Sequence, residues 1–175
     1  MPSAVSDAGP LIHLAQINKL HLLKMLYNQA VITPRVKREA YDMGAKHGHA
    51  DATIGKAIED GWIKVEKLQK QLISSSKKLA SKEKISQADA ETLLLAKEKK
   101  AEILVDEKAL SNIARLHGLR VWSTSILLEA LSRGYIEVSD IEAAIRQLDE
   151  KRHKLKREHV EQILEVAKTI ACRRK

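Results

Sequence analysis

The sequence predicts an α/β fold with a parallel sheet, and three observations carry that reading. Short β-like apolar runs recur at residues 3–6, 30–32, 62–65, 103–105 and 119–122. Helical periodicity fills most of the chain between them. Gly44, Gly61, Gly118 and Gly134 each stand where a helical pattern stops, the position at which helices favour glycine. Strands alternating with helices make βα units, and those units build parallel sheets.

The elements follow in order. Residues 3–6 form the first strand. Asp7-Ala8-Gly9-Pro10 has helix-start chemistry, because Pro is tolerated in a first helical turn. Leu11, Ile12, Leu14 and Ala15, then Leu20, Leu22, Leu23 and Leu26, give two helical patterns broken near Asn18. After the second run, Thr33-Pro34 opens a helix over 34–43. Another helix covers 49–59, and 62–65 alternates as a strand does. Residues 67–84, KLQKQLISSSKKLASKEK, are rich in Lys and Ser. They are expected to be an exposed insertion or linker, or a loosely packed helix. A strong helical pattern runs from Ser86 to Lys99. The strand at 103–105 is of the buried type. Helices over 107–117 and 124–133 enclose the last strand.

The tail is helical and charged. Ile141, Ala144, Ile145 and Leu148 form one stripe, and Val160, Ile163, Leu164 and Ala167 another. They predict two helices joined across Arg152-His153-Lys154. Short helices need something to pack on, here the domain or a second copy. The expected division is a core domain over 1–136 and a helical extension over 137–175.

Composition narrows the function classes. Hydrophobic residues make up 44% of the 175 and charged residues 31%, which is not a disordered composition. No apolar run reaches the ~20 residues of a membrane helix. The N-terminus lacks the pattern of a signal peptide. Cys172 is the single cysteine, so neither an internal disulfide nor a cysteine-built zinc site is available. A cytoplasmic location is expected. The net charge of +8 favours a polyanionic partner such as nucleic acid. Aromatic residues are only 3% and Phe is absent, which argues against base-stacking RNA modules. Neither GxGxxG nor GxxxxGK[ST] occurs, so dinucleotide and P-loop readings lose their support.

The acidic residues hold the chemistry. Asp7 and Asp106 each follow a strand and precede a helix. Both could cap those helices, but the carboxyl end of a parallel strand is also where ligands bind. Glu107 is a neighbouring substitute for Asp106. Glu39 is spaced to share a helix face with Val36, Ala40 and Met43, so it is expected to point inward, toward a Lys or Arg partner or a metal. Ser86-x-x-Asp89 resembles a capping box, which gives Asp89 a structural role. Glu91 lies in ADAETLLLA, within a helix apolar nearly all round. Glu91, rather than Asp89, is therefore the expected site residue. Clustered carboxylates repel and require a cation. An all-oxygen set suits Mg²⁺ or Mn²⁺, which assist phosphodiester displacement. The seven His are scattered; His47 and His49 read as surface residues.

Three segments resemble the PIN-domain family. VSDAGPLIHLAQINKLHLL resembles its opening, whose first metal-site acid matches Asp7. ITPRVKREAYD resembles the next segment and matches a Glu to Glu39. ADAETLLLAKEKKAEILVDEKALSNIARLHGLRVWSTSILLEALSRG resembles the second half, with its acids at Glu91 and Asp106. The subgroup it is similar to is archaeal and bacterial and carries a GEAEAI-like motif. The resemblance spans nearly the whole chain outside 67–84. It implies a three-layer sandwich with a central parallel sheet flanked by helices, plus C-terminal helices. It implies a Mg²⁺- or Mn²⁺-dependent endoribonuclease, related to VapC-like toxins that pair with an antitoxin and form homodimers. The family often has Thr-Ser after the first Asp, where Ala8-Gly9 stand here. Ser6, Ser123, Thr124 and Ser125 are the candidates for the missing supporting hydroxyl.

The competing expectation is a non-catalytic PIN-like module that binds RNA or a protein. A third is a scaffold whose charged C-terminal helices mediate assembly.

Overall fold

The computed structural model describes residues 3–42, 50–106, 108–119, 121–122, 125–150 and 157–174. The expected helix end at Met43 and Gly44, the pair His47 and His49, the acid Glu107, the hydroxyls of Ser123 and Thr124, and the joint Arg152-His153-Lys154 lie outside the described residues.

Five parallel strands form one sheet. They are β1 (Ala4–Ser6), β2 (Ala30–Ile32), β3 (Ile63–Val65), β4 (Glu102–Leu104) and β5 (Val121–Trp122), in the spatial order β3-β2-β1-β4-β5. Register pairs Val5 with Val31 on one side and with Ile103 on the other. Successive side chains on a strand point to opposite faces. Ala4, Ala30, Ile32, Ile63 and Leu104 therefore join one buried cluster. Val5, Val31 and Ile103 join the other. Both faces are covered at β1 and β2, which is why those strands are buried throughout, whereas the edge strand β3 alternates, with Lys64 exposed.

The first face packs on α1 (Ala8–Gln16), α2 (His21–Leu26), α3 (Pro34–Lys37), α4 (Ala50–Glu59) and α8 (Ser125–Ser132). The second packs on α5 (Lys70–Glu83), α6 (Gln87–Lys99) and α7 (Lys108–Leu116). The result is the three-layer α/β arrangement with its central parallel sheet. Among the described residues, no helix is long and apolar enough to cross a membrane.

Residues 67–84, expected as an exposed insertion or linker, hold the helix α5, which docks on α6. Leu72 and Leu79 pack against the second cluster, and Ser76 between them is fully buried. A small polar residue in the middle of that stripe hides it from composition. The tail forms α9 (Val138–Glu150) and α10 (Arg157–Arg174). Ile141, Ala144, Ile163 and Ala167 belong to the same buried cluster as Leu127, Ala130 and Leu131, so these helices pack on the domain itself. The Arg174 guanidinium, near the end of α10, donates from Nη1 to the Leu131 carbonyl at 3.1 Å.

The topology creates one special place. The chain runs β1, β2, β3 in one direction, then returns to lay β4 against the other side of β1. The strand order reverses between β1 and β4, and ligands bind at such switch points, beyond the carboxyl ends of the strands. Asp7 follows β1, and its N–H donates to the Leu104 carbonyl of β4 at 2.9 Å. Asp106 lies two residues past β4.

Candidate metal centre at the sheet's switch point

Asp7 ends β1 in extended conformation and caps α1, its Oδ1 accepting the Ala8 N–H at 2.9 Å. The capping role and the switch-point position coincide in one residue. Burial pushes its carboxyl up from the ordinary 3.8 to about 7. The Ala8 hydrogen bond pulls the other way, and the negative charges of Asp89, Glu39 and Asp106 push it up further. Charges from α6, the turn after α3 and the end of β4 thus act on Asp7 at the carboxyl end of β1.

Asp106 is exposed, and its Oδ2 lies 2.5 Å from His13 Nδ1 on α1. Gly9, one turn earlier, presents no side chain there. A Cβ at Gly9 would stand 3.3 Å from the same Oδ2. Gly9 thus leaves Asp106 room to lie against the helix and reach His13.

Glu39 sits elsewhere than its spacing suggests. After α3 the backbone widens into a π-turn over Arg38–Asp42. Val36 and Ala40 stay fully buried, while Glu39 is exposed. A π-turn has i→i+5 hydrogen bonds and breaks the 3.6-residue spacing, so the inward face expected for Glu39 is not kept. Its charge still acts on Asp7.

Glu91 is buried at 2% exposure, as its apolar surroundings required. Oε1 accepts Arg35 Nε at 2.9 Å and Gln87 Nε2 at 3.3 Å. The carboxylate of this helix that acts on Asp7 is Asp89. The Asp89 N–H donates to Ser86 Oγ at 3.0 Å, so Ser86 supplies the N-cap of α6. The sequence reading treated capping and site membership as alternatives for Asp89, and nothing in the fold makes them exclusive. Ser6, a candidate supporting hydroxyl, is fully buried and donates to the Asp7 carbonyl at 2.8 Å.

Residues 3–169 match the family model described as PIN domain. The chain belongs to the PIN-domain family. Over 92 residues it is 34% identical to Endoribonuclease Nob1 of Pyrococcus abyssi (strain GE5 / Orsay), covering 50% of this chain and 54% of that protein. The chain therefore spans about half the length of the curated relative it matches. The crystal structure of PAE2754 from Pyrobaculum aerophilum aligns with a TM-score of 0.48 at 14% identity, covering 67% of this chain and 96% of that one.

In this PIN domain the donor chemistry of Asp7 and the acids whose charges act on it, all carboxylate oxygens, suits a hard divalent cation. Among the described residues, no three His, Cys, Asp or Glu side chains form a ready-made metal shell. Mutual repulsion keeps carboxylates apart until a cation offsets it, and Asp106 meanwhile leans on His13. Sequence reasoning gave Asp89 only a structural role and did not single out His13 or Arg35. His13 carried a weak signal, lying one helical turn from Gly9 on the helix that Asp7 caps.

Proposed function

We propose that this PIN-domain chain is a Mg²⁺- or Mn²⁺-dependent endoribonuclease with Asp7, Glu39, Asp89 and Asp106 as its metal-site carboxylates. Asp89 replaces Glu91 in that set because Glu91 is engaged by Arg35 and Gln87. The observation that carries the reading is Asp7, a half-buried carboxyl at the switch point, raised to about 7 by burial and by the charges of three other acids. Perturbed acids of this kind cluster at functional sites. The endoribonuclease name of the Pyrococcus abyssi relative and the basic net charge favour RNA as the substrate.

A bound divalent cation supplies Lewis-acid stabilisation of charge during phosphodiester displacement. The chain's own groups prepare the place for it. Ala8 N–H fixes one Asp7 oxygen. His13 holds Asp106 by Oδ2, which leaves Oδ1 for the centre. The charges of Glu39, on the turn after α3, and of Asp89, on α6, act on Asp7.

The test is cleavage of a mixed-sequence RNA with Mg²⁺, Mn²⁺ or EDTA, alongside melting curves with and without Mn²⁺. Cleavage that EDTA abolishes, with a Mn²⁺-dependent rise in Tm, is expected. A protein that neither cuts RNA nor gains stability from either metal rejects the reading. The second reading, a non-catalytic PIN-like module that binds RNA or a protein, draws on the His13 contact to Asp106 and would then take its place. The toxin role, an antitoxin partner and a homodimer follow from the family resemblance. Growth arrest on expression and the mass in solution test them.

A further inference from the structure

We propose that Arg35 binds a phosphate of the RNA strand beside the acidic centre, and that buried Glu91 is the positioning residue that holds it there. The inference deepens the nuclease reading and rests on its substrate class.

Arg35 lies in the first turn of α3, one turn ahead of Glu39. Its Nε donates to Glu91 Oε1 at 2.9 Å, and Glu91 lies two residues past Asp89 on α6. The guanidinium therefore links α3, which leads into the turn carrying Glu39, to α6, which carries Asp89. The two partners are unequal: the Glu91 side chain is 3% exposed and that of Arg35 is 47% exposed. Glu91 is held from behind. Gln87 Nε2 donates to its Oε1 at 3.3 Å and to Ser76 Oγ of α5 at 2.9 Å. Ser76 in turn donates to the Ile73 carbonyl at 2.8 Å.

Two features do not suit a contact that serves stability alone. The pair is end-on through Nε, although a guanidinium and a carboxylate can pair bidentately. Glu91 Oε2 is buried with no hydrogen-bond partner among the described residues, an arrangement that costs stability. In return, Nη1 and Nη2 of Arg35 are left without a hydrogen bond among the described residues, on a side chain open to solvent. Those two donors match the oxygens of a phosphate, which Arg binds in fork geometry. A fixed cation at the rim also offsets the repulsion between four carboxylates and an incoming polyanion.

The test uses the full chain and a labelled single-stranded RNA of mixed sequence. Binding is measured in EDTA across a salt series, and steady-state cleavage is measured with Mg²⁺. Arg35→Gln combined with Glu91→Gln removes both charges together. This variant is expected to lower the log-log salt slope by about 0.7, one phosphate contact on a single strand. Its RNA affinity should fall on the order of tenfold, the low end for a charged hydrogen bond. Arg35→Lys keeps the charge and loses the fork, so the slope holds while KM rises. Glu91→Gln keeps the Arg charge but loosens its anchor, again raising KM with the slope unchanged. A purely structural pair would move Tm and neither the slope nor KM. A folded double variant with wild-type slope and KM overturns the proposal. If that variant does not fold, a wild-type KM for Arg35→Lys overturns it instead. If the wild type cuts no RNA, the nuclease reading falls, and the slopes in EDTA alone decide the role of Arg35.

Discussion

His13 Nδ1 and Asp106 Oδ2 stand 2.5 Å apart, joining the helix after β1 to the end of β4 across the point where the strand order reverses. The contact passes close to the bare backbone of Gly9, where an added Cβ would stand 3.3 Å from Asp106 Oδ2. Partners of this kind orient a ligating carboxylate, and their loss typically weakens metal affinity by about 10- to 100-fold. His13→Ala is expected to weaken Mn²⁺ binding to that extent, read from the Mn²⁺ concentration needed to raise Tm. An unchanged or tighter Mn²⁺ midpoint would show that His13 competes for Asp106 rather than presenting it.

Asp7 makes the metal-free protein sensitive to pH. Its folded value near 7 lies above the ordinary 3.8. Below about pH 4 it is protonated in both states and carries no penalty. As pH rises toward 7, the unfolded chain ionises first, and the folded state loses stability. The full loss is on the order of 4 kcal/mol, at about 1.36 kcal/mol per pH unit. Asp7→Asn removes the charge and nearly keeps the shape. In EDTA the variant should melt above wild type at pH 8, with the gap closing toward pH 4. The same variant should lose Mn²⁺-induced stabilisation and RNA cleavage. A gap independent of pH would show that Asp7 is not held above its ordinary range.

The two acids of α6 should separate cleanly. Asp89→Asn is expected to remove most of the Mn²⁺-induced rise in Tm, because its charge is among those acting on Asp7. Glu91→Gln should keep that rise, because its oxygen faces Arg35. Melting curves with and without Mn²⁺, in the absence of RNA, decide between them. The reverse pattern would restore Glu91 to the metal centre and leave Asp89 as a cap.

The tail helices should be part of the folding unit. Ile141 is fully buried against the first core cluster. Ile141→Ala should cost about 2–5 kcal/mol, the range for such truncations in a packed core, as measured by urea denaturation. Deleting residues 137–175 uncovers the apolar surface around Leu127, Ala130 and Leu131, so the shortened protein should melt lower or aggregate. A truncated protein with wild-type Tm and mass would show an independent extension.

The sequence by itself determined the layering of this protein. The five β-like runs, the helical stretches between them and the glycine stops are local signals, set by side-chain period and backbone freedom. They gave the parallel α/β class and placed Asp7 and Asp106 at strand ends. Burial of Glu91 was equally legible, since a helix apolar nearly all round has no other place for its side chains. What the buried carboxylate meets was not legible. Arg35 lies far away in sequence and reaches Glu91 only because β2 and α6 are brought together around β1. The exposure of Glu39 depended on a π-turn that the i, i+4 spacing of Val36 and Ala40 does not announce. The docking of α5 depended on α6 offering a surface to Leu72 and Leu79. The choice between Asp89 and Glu91 was likewise tertiary. The two lie two residues apart on one helix, where positions do not share a face, and only the packing of that helix on the sheet decides which turns toward Asp7.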